Sequence, residues 1–162
     1  MRCFPSVLSA EESDALAASI QERTAKHGFG FMALEIPGIA EFAGFVGLNV
    51  PSFDPSLVEI GWRLHKDCWG YGFATESAAA ALDVGFSRLG MTSICSFTAV
   101  TNARSERVMQ RLGMTHHPEK DFNHPALPPD HRLSRHVFYL MTAERWNEER
   151  THFPFLEDLV VR

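Results

Sequence analysis

A glycine-rich segment between a predicted strand and a predicted helix constrains the fold more than any other feature of the chain. The segment, residues 66–77, reads KDCWGYGFATES. The run before it, residues 57–64 (LVEIGWRL), alternates in the manner of a strand, and residues 75–89 carry their apolar side chains on one helical stripe. A helix N-terminus has free backbone N–H groups and the positive end of the helix dipole. The order strand, glycine loop, helix therefore favours a bound anion, often a phosphate.

Two common phosphate-binding motifs do not match this loop. The ATP-type P-loop requires GxxxxGK[ST], and no lysine followed by serine or threonine stands at the required position. The dinucleotide fingerprint GxGxxG loses its third glycine here, because residues 70–75 read GYGFAT. A tight turn that brings strand and helix into contact explains the two glycines equally well. The loop alone therefore leaves the ligand open.

The rest of the chain predicts alternating helices and strands. Ser9 and Glu12 have the spacing of a capping box, and the helix that they begin is expected to end before Gly28. Aromatic-rich runs at residues 29–34 and 42–49 flank a Pro-Gly turn, which favours an antiparallel hairpin. The later predictions are a strand at 94–100, a helix from Asn102 to Leu112, a long loop at 115–135, a strand at 136–141, a helix at 143–149 and an irregular tail.

Composition indicates a soluble globular protein. With 162 residues, 45% of them hydrophobic, we expect a single domain over residues 1–162, of which 143–162 form a tail. The net charge of −5 and the scattered basic residues argue against a nucleic-acid partner. No apolar run is long enough to span a membrane, and no signal peptide is evident. Three widely spaced cysteines favour a reduced, cytoplasmic location over disulfides or zinc.

Three motifs occur in order along the chain. Residues 59–64 (EIGWRL) precede the loop, the loop itself contains WGYGFA at 69–74, and residues 101–114 read TNARSERVMQRLGM. Together they resemble the GNAT superfamily of acetyltransferases over residues 4–140, and the aromatic residue before the first glycine is typical of the branch that includes ribosomal-protein N-acetyltransferases. The loop matches the family's pyrophosphate motif [QR]-x-x-G-x-[GA], with Trp69 in place of Gln or Arg.

The resemblance implies a three-layer α/β/α fold of the α+β class, with a mostly antiparallel sheet that splays near its middle and helices on both faces. It also implies that the family's first strand and helix have no counterpart in this sequence, because the family segment similar to VMRFFP falls at residues 1–5. A misassigned start, a shortened chain and a second chain that fills the gap are the open explanations. The apolar tail at 153–161 is a candidate to fill that gap.

Acetyl-CoA is the cosubstrate that the resemblance implies. Backbone N–H groups of residues 70–75 would hold its pyrophosphate, and the end of the strand at 59–64 would pair with its pantetheine arm. The residues expected to contact acetyl-CoA are Trp62, Arg63, Leu64, Trp69, Gly70, Tyr71, Gly72, Phe73, Ala74, Thr75, Asn102 and Ser105.

Acetyl transfer to an amine requires a base that removes a proton from the ammonium group. The resemblance places Glu59 in that role, and Phe42, Phe45 and Trp62 are expected to raise the pKa of Glu59 by shielding it from water. A structural role, as the partner of an arginine or as a residue that orders the strand, is the alternative for Glu59.

The general acid is less well defined. Met109 stands where many relatives carry a tyrosine that protonates the leaving thiolate. Ser105 is the nearest hydroxyl candidate and Tyr139 a distant one, while release of the thiolate without an acid is a third alternative. Ser105 also has the position of a residue that supports the helix cap at Asn102.

The acceptor site is predicted in the loop at 115–135, with Asp121, His124 and His136 as substrate contacts. The histidine spacing fits no zinc pattern, so no metal is expected. The acceptor stays open among a protein N-terminus, a polyamine-like amine, an amino-acid-like metabolite and an aminoglycoside, and the net acidity favours a cation.

Two functions and two oligomeric states follow from these features. The chain is expected to be an N-acetyltransferase acting on a primary amine, or an acetyl-CoA-binding regulatory or interaction module without transfer activity. Monomer and homodimer are both open, and neither a nucleic-acid nor a membrane partner is expected.

Overall fold

The computed structural model describes residues 8–159. Seven strands within this range form one mixed sheet in the order β1-β2-β3-β4-β7-β5, and β6 pairs with another part of β7. The strands are β1 (Phe31–Ile36), β2 (Ala40–Asn49), β3 (Glu59–Leu64), β4 (Ser93–Ala99), β5 (Thr115–His116), β6 (Phe122–Asn123) and β7 (Arg135–Thr142). The helices are α1 (Ala10–His27), α2 (Phe73–Ser87), α3 (Ala103–Arg111) and α4 (Ala143–Glu149). The expected α+β class is confirmed.

Helix α1 begins and ends where the local sequence predicts. The Ser9 hydroxyl accepts the Glu12 backbone N–H at 3.2 Å, and the Glu12 carboxylate accepts the Ser9 backbone N–H at 2.7 Å. Gly28 ends the helix in the left-handed conformation, with φ of 74°. Leu16 and Ile20 are only half-buried, and α1 has no buried residue. The helix therefore lies loosely against its face of the sheet.

Helix α2 begins two residues earlier than the sequence predicts. Gly72 is its N-cap, with φ of 92°, a conformation that only glycine adopts without strain, and Phe73 is the first helical residue. Thr75 is thus inside the first turn rather than at the start. The helix ends at Ser87, so Leu89 lies outside it and is 42% exposed.

The main core lies between the sheet and helices α2, α3 and α4. Ile60, Leu82, Ile94 and Trp146 are fully buried in it. The tail is not irregular: it forms short 3-10 helices at Arg150–His152 and Pro154–Asp158 and packs on this core. Up to Leu159 the tail forms no strand beside β1, so this part does not substitute for an edge strand there.

The segment predicted as a long loop at 115–135 contains two short strands. β5 pairs with β7 at Leu140 and Tyr139, and β6 pairs with β7 at His136 and Arg135. Both strands form because their backbone groups pair with those of β7. The local sequence of residues 115–135 gives no sign of that pairing. No helix of residues 8–159 has both the length and the apolar character that a membrane crossing needs. The MRCFP segment and the last three residues lie outside the described range.

Candidate functional site

The sheet opens between β3 and β4. These two strands pair in parallel only at Glu59 and Cys95, where the Cys95 backbone N–H donates to the Val58 carbonyl at 2.8 Å. At the next step the Ser96 hydroxyl, rather than a backbone N–H group, donates to the Ile60 carbonyl at 2.9 Å. The backbone ladder stops there. A gap follows, with its closed end at Glu59.

The β3 wall of the gap offers a backbone edge. The carbonyls of Val58 and Ile60 both point towards β4, so by the two-residue alternation of a strand the backbone of Trp62 also faces the gap. The Leu64 carbonyl accepts the indole N–H of Trp69 at 2.9 Å. The Arg63 carbonyl instead lies against Gly44 of β2, away from the gap.

The glycine loop lies at the open end of the gap. Gly70 and Gly72 have φ of 90° and 92°, and a Cβ placed on either would meet nothing within 4 Å. The first amide bonded inside α2 is that of Glu76, which donates to the Gly72 carbonyl, and Gly72 has no side chain to cap residues 73–75. The backbone N–H groups of those three residues therefore face open space at the positive end of a 15-residue helix, a geometry that suits an anion.

Exposed aromatic side chains flank this loop. Trp69 is 49% and Tyr71 74% exposed, and the Tyr71 ring lies 5.8 Å from the ring of Phe73. The guanidinium of Arg104, at the start of α3, lies over the Trp69 ring at 4.6 Å from the ring centre. Arg104 has no role in the sequence-based predictions. The sequence did contain a signal for it: Arg104 is a cation in the first turn of a helix, where the helix dipole disfavours positive charge.

Asn102 and Ser105 meet at the start of α3, and Asn102 is fully engaged as its cap. The Asn102 side-chain oxygen accepts the Ser105 backbone N–H at 3.4 Å. The Asn102 amide nitrogen donates to the hydroxyl oxygens of Thr98 and Ser105, both at 2.9 Å. Ser105 thus supports the cap, and its hydroxyl oxygen acts as an acceptor in that network.

Glu59 is held at the closed end of the gap by one hydrogen bond. The Asn49 side-chain amide donates to its carboxylate at 2.7 Å. Burial raises the pKa of Glu59, and this outweighs the lowering by the Asn49 hydrogen bond and the charge of Arg23. The shielding does not come from two of the side chains expected to supply it. Phe42 is 65% exposed, and Trp62 lies on the opposite face of β3 and packs on the main core.

The other candidates for proton transfer and nucleophilic chemistry have structural surroundings. Burial and the charge of Glu59 raise the pKa of the Cys95 thiol to about 12, which keeps it neutral and unreactive. Met109 is fully buried in the core. The Tyr139 hydroxyl donates to the Glu106 carboxylate at 3.0 Å, and burial raises its pKa. Tyr139 thus ties β7 to α3.

His124 and His136 come together on the sheet face that carries Glu59. Their ring centres are 5.0 Å apart, and both rings contact Phe97 and Phe122. Phe53 completes a half-buried group, which we call the Phe–His cluster. Burial lowers the pKa of both histidines, and the nearby His136 lowers that of His124 further, so both rings are neutral at pH 7.

Strand geometry sets the position of the cluster beside Glu59. Phe97 is two residues after Cys95 on β4, so both side chains lie on the face to which Glu59 also belongs. Asp121 is not in the cluster: its carboxylate accepts the Phe138 backbone N–H at 2.9 Å and the His116 ring N–H at 3.0 Å. In residues 8–159 no three His, Cys, Asp or Glu side chains lie close enough together to hold a metal ion.

Comparison with known proteins identifies the family. Residues 1–115 match the family described as Acetyltransferase (GNAT) domain, so the chain belongs to the GNAT acetyltransferases. The FsC-acetyl coenzyme A-N(2)-transacetylase of Aspergillus fumigatus is 31% identical over 129 residues, which cover 70% of this chain and 54% of the relative. The uncharacterized N-acetyltransferase YnaD of Bacillus subtilis is 28% identical over 95 residues, 59% of this chain and 54% of the relative. The chain spans about half the length of these relatives.

Solved structures share the fold at low sequence identity. A GNAT-family acetyltransferase from Bacillus anthracis has a TM-score of 0.70 at 22% identity, over 89% of this chain and 81% of that chain. The spermidine/spermine N-acetyltransferase SpeG from Vibrio cholerae has a TM-score of 0.64 at 17% identity, over 83% of this chain and 76% of that chain. Both agree with the layered sheet described above.

Proposed function

We propose that the chain transfers an acetyl group from acetyl-CoA to a primary amine, either a protein N-terminus or a small amine, by direct attack. One observation carries the proposal: the gap between β3 and β4 has a carboxylate of raised pKa at its closed end and an uncapped helix N-terminus at its open end. On the aromatic residue Trp69 before the first loop glycine, we assign the chain to the branch of the ribosomal-protein N-acetyltransferases.

The gap and the loop fit acetyl-CoA. The open space in front of Gly70 and Gly72 leaves room for a pyrophosphate, and the amides of residues 73–75 are its hydrogen-bond donors. The backbone edge at Trp62 suits the amide groups of the pantetheine arm. When bound, acetyl-CoA supplies an activated acetyl group as a thioester. The name of the Aspergillus relative, an acetyl coenzyme A transacetylase, supports this donor.

Glu59 serves as the general base. Its carboxylate takes one proton from the acceptor ammonium group, and its raised pKa makes it a stronger base than an exposed glutamate. The neutral amine attacks the thioester carbonyl, the carbon–sulfur bond breaks, and the second amine proton leaves for the sulfur. Ser105 is the hydroxyl group placed at the start of α3 to assist that transfer.

The Phe–His cluster lies on the acceptor side. Three half-buried Phe rings favour an acceptor that carries apolar surface next to its amino group. The two neutral imidazoles accept or donate hydrogen bonds without repelling an ammonium group. His124 and His136 are therefore the proposed acceptor contacts. Asp121 contributes by holding the surrounding segment in place.

Release of free CoA tests the transfer reaction. The purified protein is incubated with acetyl-CoA and a panel of N-terminal peptides, small amines, polyamines and aminoglycosides, and the free thiol is measured. Turnover on one acceptor class is expected. Tight binding of acetyl-CoA without turnover on any acceptor would instead favour a regulatory or interaction module.

A pair of glycine variants tests the loop. Gly72→Glu places a carboxylate where the pyrophosphate would lie, and we expect acetyl-CoA affinity to fall more than about tenfold. Gly38→Glu is the matched control, because Gly38 in the β1–β2 turn has a similar φ of 75° and equally open surroundings. If Gly72→Glu and Gly38→Glu bind acetyl-CoA with equal affinity, acetyl-CoA does not bind at the glycine loop.

A further inference from the structure

The contact between Trp69 and Arg104 joins the two sides of the gap. Trp69 follows β3 and is fixed there because its indole N–H donates to the Leu64 carbonyl. Arg104 is the second residue of α3, which follows β4, and its guanidinium lies 4.6 Å from the centre of the Trp69 ring. The pair therefore stands at the open end of the gap, beside the glycine loop.

The Arg104 guanidinium has unused hydrogen-bonding capacity. Arg104 is exposed, and within residues 8–159 its guanidinium makes no hydrogen bond and no ion pair. Glu106, the acid in the same helical turn, accepts the Tyr139 hydroxyl. Five N–H groups in a planar arrangement are thus held on an indole face with no acceptor of their own.

Helix stability does not account for this arginine. A cation in the first turn opposes the helix dipole, at a cost of roughly 0.3–1 kcal/mol. A guanidinium in that position, held next to a second helix N-terminus, adds positive potential to a place that is already positive. An anion bound between the guanidinium and this helix N-terminus would offset the positive potential.

The glycine loop holds one lysine, Lys66, in the short 3-10 helix that precedes its glycines. Residues 69–75 contain no Lys or Arg, and Trp69 stands where the family pattern has Gln or Arg. The indole cannot replace such a side chain, since its only N–H group is committed to Leu64. Between Trp69 and Thr75 the loop therefore offers a multiply charged ligand backbone donors but no positive side chain.

We propose that Trp69 and Arg104 form one unit that binds a phosphate group of CoA, with the indole ring holding the guanidinium towards the phosphate oxygens. The proposal rests on the function proposed above. The phosphate is either part of the pyrophosphate or the 3′-phosphate, and both present the same oxygens to a guanidinium.

Calorimetric titration of the whole chain with CoA tests the unit. Arg104→Ala is expected to weaken CoA binding about tenfold, and Arg104→Lys about threefold, because lysine keeps the charge but not the planar donor set. Arg107→Ala is the matched control: Arg107 is exposed on the same helix, and its loss should change the affinity less than twofold. Trp69→Leu should weaken binding as much as Arg104→Ala, and the double variant should be no weaker than either alone.

Truncated ligands identify the phosphate. If the Arg104→Ala loss disappears with 3′-dephospho-CoA, the guanidinium binds the 3′-phosphate; if it persists, the guanidinium binds the pyrophosphate. Acetyl-pantetheine, which has no phosphate, should bind wild type and Arg104→Ala equally.

Three outcomes would overturn the inference. The first is an Arg104→Ala variant that binds CoA as tightly as wild type. The second is an equal loss with acetyl-pantetheine, which would show that Arg104 shapes the gap rather than binding phosphate. The third is full additivity of the Trp69→Leu and Arg104→Ala effects. If the wild-type chain binds no CoA, the proposed function is refuted as well. If the wild type binds CoA and only the Arg104 predictions fail, the proposed function stands and the Trp69–Arg104 unit is refuted.

Discussion

Two carboxylates, one on helix α2 and one on strand β3, have very different surroundings. Asp83 of α2, at the junction with α4, is 8% exposed and accepts three hydrogen bonds at one oxygen. The donors are the Trp146 indole at 3.1 Å, the Arg150 guanidinium at 3.0 Å and the Ser87 hydroxyl at 3.4 Å. Glu59, at the closed end of the gap, accepts one hydrogen bond from Asn49 and its pKa is raised by burial.

The difference separates a carboxylate that joins helices from the carboxylate that we propose as the general base. Asp83 accepts a guanidinium N–H and two further donors, so it anchors α2 to α4 and to the segment that follows α4. Glu59 is partly buried and has a single amide donor, and its burial raises its pKa, which is the property a general base needs. Burial alone therefore does not identify the reactive group; the number and charge of its partners do.

The largest expected effect is on the rate when Glu59 loses its charge. Glu59→Gln removes the proposed base, and we expect kcat to fall about 10²- to 10⁴-fold. The thermal midpoint at pH 7 should be equal to or above that of wild type. The folded-state pKa of Glu59 is raised, so the folded protein is most stable when this group is protonated, and the neutral amide removes the cost of ionisation.

Glu41→Gln on the exposed face of β2 is the matched control for this change and should alter neither the rate nor the midpoint. If Glu59→Gln leaves kcat unchanged, Glu59 is not the base, and Glu59 and Asp83 do not differ in function as proposed.

The second effect is on stability when Asp83 is removed. Asp83→Ala leaves the Trp146 N–H and the Arg150 guanidinium without their acceptor, and the free energy of unfolding should fall by about 3 kcal/mol. Denaturant titration measures the loss, while kcat per folded molecule should stay within about twofold. Asp83→Asn keeps an acceptor oxygen and should lose less. If Asp83→Ala impairs kcat as strongly as Glu59→Gln, the division into anchor and base is wrong.

A smaller effect concerns the pH dependence of the reaction. The ionised form of Glu59 is the active one, so kcat/KM should rise with pH through a pKa above 4.5. The Asn49 hydrogen bond stabilises the ionised form, so Asn49→Ala should raise that pKa and move the rising limb to higher pH. A pH–rate profile of both proteins measures the shift. A profile that moves to lower pH would contradict the assignment of Glu59.

The smallest effect is expected at the third donor of Asp83. The Ser87 hydroxyl lies at 3.4 Å, near the limit for a hydrogen bond, so Ser87→Ala should lower the free energy of unfolding by no more than about 0.5 kcal/mol. Trp146→Phe, which removes the 3.1 Å donor and keeps most of the ring, should cost more. The reverse order would show that Ser87, not Trp146, is the principal neutral partner.

Local sequence predicted most elements but not all of their ends. The capping box at Ser9 and the glycine at residue 28 place α1 correctly, and the hairpin and α3 follow their turn and cap residues. Helix α2 begins two residues earlier than predicted because Gly72, with its positive φ, serves as the N-cap. Strands β5 and β6 were missed because they exist only by pairing with β7.

The candidate site was predicted in part. The strand, the loop and Asn102 were located by motifs, and the structure brings His124 and His136 together on the face of Glu59. Asp121 lies outside that pair, and its carboxylate accepts the Phe138 backbone N–H. Arg104 was not predicted, because its contact with Trp69 joins residues from two separate motifs.

The sequence by itself determined the order of the elements, the caps of α1 and α3 and the turn that Gly70 and Gly72 form. Each of these features depends on residues within about four positions of itself. Only the tertiary structure decided that Asp83 joins helices and that the pKa of Glu59 is raised. Asp83 and Trp146 are 63 residues apart in the chain, and the cost of ionising Glu59 depends on its burial in the folded protein. Burial and hydrogen-bond partners are properties of chain segments brought together by packing, and these set the chemistry of both acids.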